Sequence, residues 1–155
     1  MPPTNNIGYL IQHLAFTLTR QSDQVLQERL GIGYSQFKIL MALRWKGNVQ
    51  QKQIAERLGQ TEASISRQIK LLHDMGLLSS RKSPQNRREH LTILTPKGER
   101  IINEALRALN GYHAPVFGGL SEKQTVAMMK SLTLMHQETC SGDRPAACHH
   151  IYNYN

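Results

Sequence analysis

The chain is short of acidic residues, of cysteine and of long apolar runs, and each shortage closes off a class of protein. Only 11 Asp and Glu stand against 19 Lys and Arg in 155 residues. No nucleophile elbow, Gly-rich phosphate loop or paired-carboxylate motif is present, so catalysis has no visible machinery. The two cysteines, Cys140 and Cys148, have neither C-x-x-C nor metal-finger spacing. No apolar run approaches the roughly 20 residues that a membrane span needs. The opening MPPTNNIGYLIQH lacks the basic flank and apolar block of a signal peptide, and the tail ends in no lipidation or retention signal. The expectation is a cytoplasmic protein in a reducing compartment, with no membrane partner and no cofactor.

What is present is positive charge, concentrated in one place. The formal net charge is +8. Between Arg44 and Arg100 there are 12 Lys/Arg against 5 Asp/Glu, net +7, which leaves +1 for the rest of the chain. A localised cationic patch suits a polyanionic partner. The plain alternative is a solubilising surface, so the pattern around the charge has to decide.

That pattern is mainly α with a small β-hairpin. Ile7, Leu10, Ile11, Leu14, Leu18, Val25 and Leu26 recur near helical spacing and predict a long helix over about 6–30, capped by Asn5 or Asn6 and ended by Gly31-Ile32-Gly33. It is apolar on more than one side, which marks it as a dimerisation element. A second helix follows in YSQFKILMALRWKG with Phe37, Ile39, Leu40 and Leu43 inward and Gly47-Asn48 as its stop. A short third helix in QQKQIAERLG buries Ile54, Ala55 and Leu58. Thr61 caps the fourth, where Ile65, Ile69 and Leu72 fall at i, i+4, i+7. Leu77–Lys82 and His90–Thr95 read as paired strands around the turn-forming SPQNRRE. Thr95-Pro96 starts a fifth helix that is expected to reach about Tyr112, with Pro115 and Gly118-Gly119 as breakers. Ser121 with Gln124 forms a capping box for a sixth helix carrying Val126, Met128, Met129, Leu132 and Met135. The tail from 141 to 155 has no periodicity.

A short helix, a Gly-containing turn and a second helix with a polar outer face make a helix-turn-helix. The outer face offers Ser64, Arg67, Gln68 and Lys70, with Ser66 at its flank and Thr61 at its start. Such a helix fits the major groove, where base edges accept and donate hydrogen bonds. Arg67 is the principal candidate for a base or backbone contact. The hairpin supplies Arg81, Lys82, Arg87 and Arg88, suited to phosphates or a narrow minor groove. Double-stranded DNA is the expected partner.

At these residues the chain resembles the MarR family of winged-helix transcriptional regulators. The resemblance rests on YSQFKILMAL, QIAERLG and SISRQIKLLHDMGLLSSRKSPQNRREHLTILTPKG, and above all on the ending RR-x-x-L-x-x-L-T-x-x-G; it spans about 33–98. It implies a single domain over 1–140, with a winged helix-turn-helix lobe at 33–98 and dimerisation helices at 6–30 and 100–138. It also implies a homodimer on a pseudopalindromic operator, half-site centres roughly 34 Å apart. A repressor released by a small aromatic or anionic ligand, held between the dimerisation helices and the DNA-binding lobe, is the role it implies.

Other features have blander readings beside sharper ones. Tyr9, His13 and Trp45 are candidates to line an effector pocket, or are ordinary packing residues. Cys140, Cys148, His149 and His150 make the one thiolate–imidazole cluster, a metal or redox candidate set in an aperiodic tail. The methionines of the sixth helix read as core packing before a ligand box. A winged-helix protein-interaction module that does not touch DNA is the remaining alternative.

Overall fold

The computed structural model describes residues 6–46, 50–82 and 90–140. Among these residues six helices and one hairpin follow each other as α1 (Ile7–Leu30), α2 (Tyr34–Lys46), α3 (Gln51–Leu58), α4 (Glu62–Asp74), β1 (Leu78–Lys82), β2 (His90–Leu94), α5 (Pro96–Gly118) and α6 (Glu122–Cys140).

Local chemistry fixes most boundaries. Asn6 caps α1, its Oδ1 accepting from the Tyr9 N–H at 3.0 Å. Gly31 ends the helix in the left-handed region. α2 starts on borrowed acceptors: Asp23 Oδ1 of α1 takes the Tyr34 N–H at 2.7 Å, and Gln36 Oε1 takes the Gly33 N–H at 2.9 Å. Thr61 caps α4, and Thr95 caps α5 with Pro96 just inside it. Ser121 and Gln124 satisfy each other's backbone N–H groups at the head of α6. The proposed Gly47-Asn48 stop of α2 lies outside the described residues.

α2 is the hub. It packs against α1, α3, α4, α5 and β2. Phe37, Ile39, Leu40 and Leu43 are buried on it, Ile54 on α3, and Ile65, Ile69 and Leu72 on α4. Ile102 and Ala105 of α5 close the same cluster, and Leu26 joins it from α1. One core therefore runs beneath α4 and the hairpin and holds both.

The hairpin is antiparallel, with Leu78 opposite Leu94 and Arg81 opposite Leu91. Its strands are one residue shorter at the base than the sequence pattern predicts. Leu77 and Thr95 are spent on the junction instead. Thr95 Oγ1 donates to the carbonyls of Gly76 (2.8 Å) or Leu77 (3.1 Å), and the Thr95 N–H donates to Leu77 O at 3.1 Å. Lys97 Nζ reaches Met75 O at 2.8 Å. Gly98 completes the joint, since a Cβ there would run into the Leu77 carbonyl oxygen. These contacts give the L-T-x-x-G pattern its physical meaning: it fastens the first turn of α5 to the corner between α4 and the wing.

Two expectations fail. α5 does not stop near Tyr112 but continues through Pro115 to Gly118. Proline removes one N–H and crowds the carbonyl four residues back. Here that residue is Gly111, and Pro115 stands on the exposed side. On the inner side His113 Nε2 lies 3.1 Å from the Ser22 hydroxyl of α1, which ties this part of α5 down; its Nδ1 is buried without a partner. The methionines of α6 are not core within one chain. Met128, Met129 and Met135 are all exposed, and no side chain over 122–139 is buried.

Candidate nucleic-acid interface

α4 follows α3 through a turn that only glycine makes cheaply: Gly59 sits at φ 60°. Ile65, Ile69 and Leu72 bind α4 to the core, and the helical repeat then dictates its outward face. Measured from the axis of those three residues, Arg67 stands roughly 165° away and Lys70 roughly 130°. Both are exposed, and neither makes an ion pair among the described residues. Ser66 and Thr61 are exposed as well.

Two predicted contact residues sit elsewhere. Gln68 is half-buried on the flank facing the core, and Ser64 is half-buried and engaged. Ser64 Oγ donates to Gln60 Oε1 at 3.3 Å, and Gln60 Nε2 donates to Ser35 Oγ at 3.0 Å. This chain links the first turn of α4 to the first turn of α2. In their place the structure turns Ala63, Leu71 and Asp74 outward, residues that the sequence reading passed over. The signal was available: the wheel set by Ile65, Ile69 and Leu72 puts all three on the far side.

On the wing, Arg81 and Lys82 are exposed at the outer end of β1. Arg87 and Arg88 lie outside the described residues. The exposed cations of α4 and β1 belong to elements that pack directly on one another.

Residues 32–90, the span that holds this helix-turn-helix and the first wing strand, match the MarR family. That span is a MarR family match. It is 26% identical over 145 residues to an uncharacterized HTH-type transcriptional regulator of Bacillus cereus, covering 91% of this chain and 97% of that one. Its fold matches a MarR family protein from Bacillus stearothermophilus with TM-score 0.75 at 21% identity, over 86% of this chain and 92% of the other. It also matches Bordetella bronchiseptica BpsR, whose DNA binding is regulated by 6-hydroxynicotinic acid, with TM-score 0.69 at 24% identity, over 87% and 96% of the two chains.

The chain has a cleft of about 480 Å³ between α1 and the start of α2. Thr19, Arg20, Asp23, Gln24, Tyr34, Ser35 and Lys38 line it. Lys38 Nζ lies 5.6 Å from the centre of the Tyr34 ring. Arg20 and Lys38 give the cleft two cations, and Asp23 is occupied by the Tyr34 N–H. None of Tyr9, His13 and Trp45 lines it. Tyr9 and His13 stack at 5.8 Å on the exposed N-terminal half of α1, and Trp45 is half-exposed near the end of α2. Among the described residues no three His, Cys, Asp or Glu side chains converge as metal ligands, and no helix is long and apolar enough to cross a membrane. Cys148, His149 and His150 lie outside the described residues, as does the side chain of Cys140.

Proposed function

We propose that this protein is a cytoplasmic, homodimeric, sequence-specific DNA-binding repressor released by a small anionic ligand. One observation carries the DNA reading. The core clamps α4 by its apolar side, which leaves Arg67 and Lys70 outward beside the cationic strand β1. Thr61, Ser66, Arg67 and Lys70 then face the groove, and Arg81 and Lys82 face phosphates. Ser64 and Gln68 act from the flank, as supports for the helix.

A mobility-shift series against salt tests this. The log–log slope is expected near −0.9 for each phosphate neutralised. Arg67→Ala is expected to cost about 1–3 kcal/mol and to relax sequence choice. A flat salt slope would turn the reading to a protein-interaction module.

Dimerisation is supported by unpaired apolar surface. The stripe of α1 that ends in buried Val25 and Leu26 continues, exposed, through Leu14, Ile11, Leu10 and Ile7. Met128, Leu132 and Met135 make a second exposed stripe on α6. Contiguous apolar surface of this kind marks an interaction site, so these faces call for a partner of the same kind.

For the effector, the α1–α2 cleft is the stronger candidate. Its volume lies within the range of small-ligand sites, and Arg20, Lys38 and Tyr34 suit a flat anion. Ser35 on its wall begins the hydrogen-bond chain to Ser64, which gives an occupant a route to α4. The anion regulating the Bordetella protein is a fitting probe. Titration calorimetry with 6-hydroxynicotinate is expected to show binding that drops at least tenfold in Arg20→Ala/Lys38→Ala, the order expected on losing a charge-assisted hydrogen bond. Binding indifferent to both changes would move the ligand elsewhere.

A further inference from the structure

The outward face of α4 is not uniformly polar. Leu71 is 50% exposed there, although the buried leucine beside it, Leu72, already serves the core. Ala63 is exposed on the same side. Ala63, Arg67 and Leu71 fall at i, i+4 and i+8, so they form one continuous ridge down the helix, about 6 Å apart. Side chains of a helix lean toward its N-terminus, which brings Leu71 over the turn that carries Arg67. Lys70 flanks the ridge, and Asp74 closes it with a negative charge that phosphates repel. The ridge is thus a cation with an apolar group on each side.

An exposed leucine on a cationic ridge has one fitting occupant in a major groove. The thymine C5-methyl is the apolar group that the groove floor offers, and aliphatic side chains are its ordinary partners. Arg67 is suited to the O6 and N7 acceptors of guanine. Stacked bases are about 3.4 Å apart, so 6 Å along the ridge corresponds to about two base-pair steps.

We propose that Ala63 and Leu71 are specificity-determining residues that contact thymine methyl groups on either side of the base addressed by Arg67. The half-site then carries thymines about two base pairs from a guanine. This rests on the DNA-binding reading given above and adds to it the chemistry of the bases read.

The test begins with selection of bound sequences from random duplexes by the full chain. Each thymine of the selected half-site is then replaced by uracil, which removes one methyl and nothing else. Wild-type protein is expected to bind at least one uracil-substituted duplex about fourfold more weakly, the equivalent of one buried methyl. Leu71→Ala is expected to bind thymine and uracil duplexes at that position alike, with unchanged circular dichroism and sedimentation. If no sequence is enriched, the regulator reading falls and this inference falls with it. If a site is enriched and uracil is tolerated everywhere, the inference alone is overturned. It is also overturned if Leu71→Ala still discriminates, or if it alters the oligomeric state, which would assign Leu71 to a protein contact.

Discussion

Gly98→Ala is expected to lower stability by about 3 kcal/mol, at the upper end of overpacking costs. For a chain of this size that is a fall in melting temperature of roughly 6–12 °C. The new methyl would meet the Leu77 carbonyl oxygen and crowd Leu94 Cδ2 at 3.0 Å. The carbonyl does not retreat easily. Leu77 O already accepts from Thr95, and Leu77 itself is buried. The sign is the informative part, because alanine ordinarily stabilises a helix relative to glycine by about 1 kcal/mol. Gly111 lies in the same helix with nothing within 4 Å of an added Cβ. Gly111→Ala is therefore expected to raise stability by up to about 1 kcal/mol. Thermal melts of the two variants, followed by circular dichroism, check the pair. Equal shifts in the same direction would mean that the α5–wing joint is not as tight as described.

The second large effect is expected at the exposed apolar stripes. Leu14→Glu combined with Leu132→Glu should convert the proposed dimer to monomers at micromolar concentration. Leu14 is 51% exposed and Leu132 40% exposed in the single chain, so neither change disturbs the core that supports α4. In a dimer each would put an unpaired carboxylate into an apolar contact, at a cost of several kcal/mol. DNA affinity should then fall by about 10²–10⁴, because two linked half-site contacts become independent. α6 should also lose helicity, having no partner left to pack against. Sedimentation and mobility shift together decide. A double variant that remains dimeric would place the interface on another surface.

Much of this molecule is local and so legible along the chain. The caps at Asn6, Thr61 and Thr95 and the Ser121–Gln124 box depend on residues within three positions of each other. The glycine that turns α3 into α4 is local as well. Pro115 misled because a proline's cost is local while the compensation is not: His113 meets Ser22, 91 residues away in sequence. The face of α4 was half legible. Arg67 and Lys70 emerge as expected, yet Ser64 is tied to Gln60, which reaches across to Ser35. The α1–α2 cleft was missed because Arg20 and Lys38 lie on different helices and have no common spacing.

The order of helices, the position of the hairpin, the gathering of positive charge between Arg44 and Arg100 and the family resemblance follow from the amino acids in their linear order, since periodicity, capping and turn chemistry act over one or two helical turns. Tertiary packing alone decided which side of α4 is free, which polar groups are spent holding it, where a ligand-sized cleft opens and which apolar stripes stay uncovered. A side chain is exposed only when no other element covers it, and in this fold much of the cover comes from α2, which packs on α4, α5 and β2, distant in sequence and adjacent in space.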